Sequence, residues 1–329
     1  MRAVAISRDT VACFAFWFLS CSCLGRFFMS TELMLLALAD GVSYAALLFM
    51  VSLGLTLICG VMGIVNVAHG ALYAFGGYTA SYFTLLTLGH EPSTWMLLAC
   101  LVAAALLVGV VLGTTLEVGL LRRVQMRDPV QQLLMTFAAF MVLEDVQRLI
   151  WGTQPYSAPD IIGRLGTVHF FNVTYTNYQL IVIPIVALLA YAGLLFFLHF
   201  TSLGKQVVAV THHREMATAL GIHAKRIGWL TFVLGATLGA LGGAMAAPTT
   251  SMVPGAGADM IVLSFAVVAT AGMGQISGAL LASLMIGLAR SMAVYLAPEW
   301  EVAVPYLIMV LVLLVRPNGL FSVAQARRI

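Results

Sequence analysis

Uncharged apolar runs of about twenty residues recur along this sequence and restrict what its backbone can do. Such a run in lipid has no water to satisfy its N–H and C=O groups, so each must be paired internally. A membrane barrel would alternate in polarity over segments of about ten residues. The runs here are continuous, which selects helices. Hydrophobic residues make up 61% of the 329 and charged residues 9%, against about 45–50% and about 25% in a soluble domain. Charges this sparse cannot cover a globular surface. A soluble enzyme, a nucleic-acid binder and a disordered chain are excluded together.

The apolar spans fall at 11–28, 33–65, 67–88, 95–117, 130–151, 178–200, 226–247 and 303–315. The stretch 258–297 is too long for one crossing, and the glycine-rich run at 272–278 divides it. The expectation is an all-α polytopic transmembrane bundle of about eight to ten spans; the division gives nine or ten, one or two readable as re-entrant. Lys and Arg set the orientation. Arg122, Arg123 and Arg127 lie in one connection, Lys205, Arg214, Lys225 and Arg226 in another, and Arg316, Arg327 and Arg328 in the tail. The connections 89–94, 248–257 and 298–302 carry none, and 152–177 carries only Arg164. The positive-inside rule puts the first group in the cytoplasm. Two short spans must then meet near Gly274 on the cytoplasmic side.

Residues 1–28 read as an extra span, a signal-like segment or a start assigned too far upstream, since Met29-Ser30-Thr31-Glu32 also reads as a start. The last of these is preferred. The remaining chain divides into a membrane domain, 29–322, and a short tail, 323–329. Cys13, Cys21, Cys23, Cys59 and Cys100 all lie in apolar stretches without metal-ligand spacing, so packing is the expected role and no metal site is expected.

Three segments stand out. The cytoplasmic stretch 204–221 has helical periodicity, with Ala209, Val210, Met216, Ala217 and Leu220 on one side and Lys205, His212, Arg214, Glu215 and Thr218 largely on the other. Gly221 sits where a left-handed cap belongs. Such a helix either rests on headgroups or docks a soluble partner; its mixed charge favours docking. The second segment places Asn66 and His69 among glycines in an apolar region. Either they make interhelical hydrogen bonds, or they mark an unwound helix at a transport site. The third is Gly235, Gly239 and Gly243, four apart on one helix face, where a neighbouring helix can approach closely.

Asp40 is the clearest carboxylate deep in an apolar run. Glu144 and Asp145 accompany Arg148 near a span end, and Arg290 needs a partner or a water-filled cavity. There is no phosphate-binding P-loop, nucleophile elbow or HExxH motif, so no enzymatic activity is expected. An energised role needs energy from another chain. An autonomous secondary transporter or channel is the alternative, disfavoured by the scarcity of buried carboxylates.

Four elements together resemble the permease subunits of branched-chain amino-acid ABC importers, of the LivH-like type. They are Asn66-Val67-Ala68-His69-Gly70 with Tyr73 and Gly77-Tyr78, then Met216-Ala217-Thr218-Ala219-Leu220-Gly221-Ile222. Thr270-Ala271-Gly272-Met273-Gly274-Gln275-Ile276-Ser277-Gly278-Ala279 and Leu313-Leu314-Val315-Arg316-Pro317-Asn318-Gly319-Leu320-Phe321 complete the set. Each alone is weak; four in this order and spacing are specific. The resemblance implies a multi-pass protein of a bacterial inner membrane, in contact with lipid. It would pair with a second related permease, two cytoplasmic ATPases and a periplasmic binding protein. ATP would be bound by the ATPases, leaving this chain without a cofactor. Lys205, His212, His213, Arg214, Glu215, Met216, Ala217 and Gly221 would form the coupling element, and Asn66, His69, Gly70, Gly272, Gly274 and Gln275 would line or hinge the pathway. The substrates expected are branched-chain amino acids or related small polar solutes.

The chain also departs from the family. Val208-Ala209 stands where Arg-Ala is frequent, and His212-His213 where an acidic or Asn residue follows. Arg290 replaces a frequent Glu, and would bind an anionic solute group or a neighbouring helix acid, the second being preferred. Residues 1–28 have no counterpart in the usual short subunit.

Overall fold

The chain's apolar runs become helices wherever glycine, proline or polar turns do not interrupt them. The computed structural model describes residues 31–87, 92–125, 127–158, 160–170 and 173–321; the extension 1–28 and the tail 323–329 lie outside these. Helix α1 (Thr31–Met62) ends at Gly63, whose φ of +65° breaks the helix. An unwound stretch leads to α2 (His69–Thr87), followed by α3 (Thr94–Leu116), which runs on through a π-helical turn, Glu117–Leu121, and the turn Arg122–Val124. Next come α4 (Pro129–Trp151), the short α5 (Asp160–Leu165) and an antiparallel hairpin of β1 (Thr167–Phe170) and β2 (Val173–Thr176). A π turn, Tyr178–Val182, opens into α6 (Ile183–Phe200), then α7 (Ser202–His212), α8 (Arg214–Ala219) and α9 (Ala224–Ala246). The chain closes with α10 (Ala256–Ala271), α11 (Ile276–Leu296) and α12 (Ala303–Val315).

The architecture is the helical bundle expected, with the hairpin as an addition. Its strands, Thr-Val-His-Phe and Val-Thr-Tyr-Thr, are rich in β-branched and aromatic residues, which suit a pleated surface. Five helices are long and apolar enough to cross a membrane: Leu33–Met62, Thr94–Val124, Tyr178–Phe200, Ala224–Ala246 and Ile276–Leu296. Ala256–Ala271 and Ala303–Val315 are shorter apolar helices. The stretch expected to divide does so between Ala271 and Ile276, with Gly272 at φ +99° and Gly274 at φ +79°.

Helix α1 is the axis of the bundle. Leu48, Met50, Val51, Leu53, Leu55 and Ile58 have no exposed surface, so its middle is apolar and buried on every side. It packs against α9 and α11 in a way only small residues allow. A Cβ on Gly54 would collide with the Gly235 carbonyl, and one on Gly287 would lie 2.6 Å from the Ala45 side chain. These close approaches replace the hydrophobic drive that lipid does not supply between helices.

The two ends of the bundle separate by their contacts. At one, Arg214 donates to Gln125 at 3.2 Å, which joins two of the basic connections. Gly60 meets Gly274 at the same end, and the segment after α12 folds back on α10. The Leu320 and Phe321 amides donate to the Thr270 and Ala271 carbonyls at 2.9 and 3.1 Å, satisfying acceptors that the end of α10 leaves open. At the other end Tyr156 pairs with Met252, and Arg164 donates to the Pro92 carbonyl at 2.8 Å. Basic residues concentrate at the first end, the one expected to face the cytoplasm.

Candidate functional site

The cytoplasmic element between α6 and α9 is two short helices. The Thr201 hydroxyl caps α7 by accepting the Gly204 amide at 3.0 Å. His213, at φ −146° and ψ 81°, ends α7 and starts α8 on a new phase. At the far end Gly221 takes φ +87°, the left-handed cap expected there. The Ile222 amide donates to the Ala217 carbonyl and the Gly221 amide to the Thr218 carbonyl, both at 3.0 Å, which is the Schellman pattern. Gly204, Val207, Val210 and Ala217 face the bundle. Ala209, Met216 and Leu220, expected on the apolar side with Val210 and Ala217, point into solvent instead; for Met216 and Leu220 the break at His213 resets the periodicity. Lys205, His212, His213, Glu215 and Gly221 are exposed beside them. Leu220 is 82% and Met216 66% exposed, a polarizable apolar patch inside a polar rim. Arg214 differs from its neighbours, since its hydrogen bond to Gln125 ties it to the connection after α3.

The unwound stretch before α2 is buried. Asn66 has no exposed surface; its Oδ1 accepts the Ala68 amide at 3.1 Å, while its Nδ2 has no partner among the described residues. His69 is equally buried, with Nε2 3.1 Å from the Val51 carbonyl. Thr136 on α4 accepts the Val67 amide at 3.3 Å. Gly70 lies against the Gly257 backbone and the Ile261 side chain at the start of α10.

Gly272, Gly274 and Gln275 form the turn between α10 and α11 at the cytoplasmic end. Gly274 contacts Gly60, nine positions beyond Val51 along α1, or about 14 Å at 1.5 Å per residue. His69 and Gly274 are therefore apart along α1, while the unwound stretch begins beside Gly60, with the Gly63 amide donating to the Cys59 carbonyl at 3.0 Å. The third set sits between them and the centre. Gly235 faces Ile58 and the Gly54 carbonyl, Gly239 the His69 imidazole, and Gly243 the Tyr73 carbonyl.

A further polar cluster lies at the outer end. Asp40 on α1 accepts the hydroxyls of Tyr175 on β2 and Tyr295 on α11. Burial, then the Asp40 carboxylate, pushes the Tyr175 phenol above its ordinary range and keeps it a donor. Arg290 pairs with Glu301, the neighbouring acid preferred for it, and stacks 4.0 Å from the centroid of the Tyr44 ring. Asp40 and Arg290 are conspicuous singly in the sequence. Their convergence across 250 positions, and the roles of Tyr175 and Tyr295, leave no local signal. Among the described residues no cluster of three or more His, Cys, Asp or Glu could hold a metal ion.

Known proteins match this arrangement along most of its length. The model of the "branched-chain amino acid transport system / permease component" family matches residues 37–313. The high-affinity branched-chain amino acid transport system permease protein LivH of Salmonella typhimurium is 27% identical over 297 residues, covering 88% of this chain and 96% of its own. LivH of Escherichia coli K12 is 26% identical with the same coverage. BraD of Pseudomonas aeruginosa is 26% identical over 299 residues, covering 89% and 97%. A solved metal-chelate type ABC transporter in an inward-facing conformation gives a TM-score of 0.39 at 13% identity, covering 87% of this chain and 94% of that one, too distant to place any residue. With the family match running from within α1 to within α12, through every element described above, this chain belongs to the branched-chain amino acid transport permease family.

Proposed function

We propose that the chain is the membrane-spanning half of an ABC importer that carries branched-chain amino acids or related small polar solutes across a bacterial inner membrane. A second related permease completes the pathway. Two cytoplasmic ATPases bind and hydrolyse the ATP, and a periplasmic protein delivers the solute. This chain itself takes no cofactor and catalyses no reaction. The observation that carries the reading is the element α7–α8. It projects Met216 and Leu220 into the cytoplasm while Val207, Val210 and Ala217 fix it to the bundle. A lever needs both an exposed contact and a rigid root, and this element has both. ATPase closure would press on α8, and the Arg214–Gln125 bond would pass the movement to the base of α3. The buried bend at 63–68 and the glycine turn at 272–275 are the places where the bundle could flex.

The experiment is co-expression of this chain, from Met1 and from Met29, with candidate ATPases, a second permease and a binding protein. Purification follows through a tag on this subunit. A stoichiometric complex whose ATPase activity rises with one binding protein supports the importer. A chain that recruits no ATPase yet transports in liposomes overturns it.

A further inference from the structure

We infer that the cavity at the outer end of the bundle, between Asp40 and Arg290, is a binding site for a zwitterionic α-amino acid with an aliphatic side chain. This deepens the importer reading and rests on it. The cavity measures about 230 Å³ and lies among α1, α11, the π turn before α6 and the Thr249-Thr250 loop. It falls just under the roughly 300 Å³ at which ordinary small-molecule sites begin, so it suits a small solute.

The charges on its walls carry the argument. Asp40 and Arg290 line the same space but have different partners: Asp40 accepts two tyrosine hydroxyls, which carry no charge, while Arg290 pairs with the Glu301 carboxylate. Helices α1 and α11 run antiparallel, with Tyr295 reaching Asp40 and Arg290 lying over Tyr44. The positions on α1 that meet the two charges, Asp40 itself and Tyr44, are one helical turn apart, about 6 Å along the axis. A molecule with a cation and an anion on neighbouring atoms spans that offset. A carboxylate offers about four acceptor positions and a guanidinium five N–H donors. Two of the first and one of the second are used among the described side chains. Asp40 can accept from an α-ammonium while Arg290 donates to an α-carboxylate.

The remaining wall is mixed, with Ser43, Gln179, Thr249, Thr250 and Ser291 beside three aliphatic side chains. Leu47, Ile183 and Val294 face the same cavity and would receive an aliphatic side chain. A solute with only one of the two charges forgoes one of the two charge-assisted hydrogen bonds, which is how such a site discriminates against it. The site lies on the side from which the solute arrives, so it would be the first contact after delivery.

The test uses the assembled complex in lipid nanodiscs without binding protein, and measures equilibrium binding of radiolabelled L-leucine. The competitors are isocaproate, which lacks the amine, and isoamylamine, which lacks the carboxylate. Each is expected to compete about tenfold or more weakly than leucine, the discrimination of a site built to pair both groups. In Asp40→Asn leucine should weaken about tenfold while isocaproate changes little; in Arg290→Gln isoamylamine should be the less affected. Val294→Trp, which fills the cavity without touching a charge, should abolish binding. Co-elution and melting temperature report whether each variant assembles; if none does, the competitor ranking in the unaltered complex decides alone. Isocaproate competing as well as leucine overturns the site. So does unchanged leucine binding in assembled Asp40→Asn and Val294→Trp complexes, or no binding by a complex that transports leucine. Failure of the importer reading shows separately, as a wild-type chain that retains no ATPase.

Discussion

The His69 imidazole occupies the notch that Gly239 leaves in α9. A Cβ at position 239 would come within 2.7 Å of both Nε2 and Cε1 of that ring. On its far side the same ring lies 3.1 Å from where a Gly54 Cβ would be, and its Nε2 meets the Val51 carbonyl. His69 is thus a wedge between α1 and α9, held by two missing side chains. Gly239→Ala should destabilise the protein by about 1–3 kcal/mol, the usual result of overpacking. His69→Ala should destabilise it by opening a void. The two together should be less harmful than their sum, with a coupling of about 0.5–3 kcal/mol, because the second change relieves the first. Melting temperatures of the three variants in detergent check this; strict additivity would place the ring elsewhere.

Met216 and Leu220 should behave in the opposite way. Both side chains are largely exposed and leave the bundle untouched, so Met216→Ala with Leu220→Ala should alter stability by no more than about 0.5 kcal/mol per site. If they anchor an ATPase they should act as interface hot spots, and recovery of the ATPase with this subunit should fall about tenfold. Unchanged recovery would assign the docking surface to other residues.

The bundle and the division near Gly274 were legible because each rests on a local property: apolar length or a glycine-rich break. The cap at Gly221 was legible for the same reason. The phase of α7 and α8 was not. Periodicity read through His213 assumes one helix, and the break rotates Met216 and Leu220 from the bundle into solvent. The outer cluster was hidden for another reason, since Asp40, Tyr175 and Arg290 belong to three distant elements that only the packing of α11 on α1 and the hairpin unites. Arg122 also read as a plain cytoplasmic charge, although it has a specific partner.

Gly319 should be intolerant of side chains although it lies near the end of the chain. Its φ is +89°, and a Cβ there would run into Gly272 at the end of α10. Gly319→Val would add backbone strain of about 1–2 kcal/mol and a steric clash. It should also break the two amide bonds from Leu320 and Phe321 that satisfy the α10 carbonyls. The expected result is a lower melting temperature, with cleavage by chymotrypsin after Leu320 or Phe321 in the folded protein. A variant as resistant as the parent would show that this turn closes without those bonds.

Arg122 and Glu117 supply the clearest test of a buried charge. Five positions separate them, a spacing that an α-helix turns to different faces; the π turn at Glu117–Leu121, which bonds each residue to the fifth one on, brings them together. The Arg122 guanidinium holds both carboxylate oxygens, at 3.3 and 3.0 Å, and the Glu117 side chain is only 4% exposed. Arg148, by contrast, meets Glu144 and Asp145 with 46% of its own side chain exposed and 71% of Asp145. An exposed pair contributes about 0–1 kcal/mol, so Arg148→Gln should change little. Arg122→Gln leaves a carboxylate buried without its cation, and should cost about 3–5 kcal/mol. Glu117→Gln together with Arg122→Gln removes both charges and should recover most of that loss, since two neutral amides can still bond across the same turn. Thermal melts of the three variants order the outcomes. If the double variant is no more stable than Arg122→Gln, the pair holds the π turn itself rather than merely neutralising a buried acid.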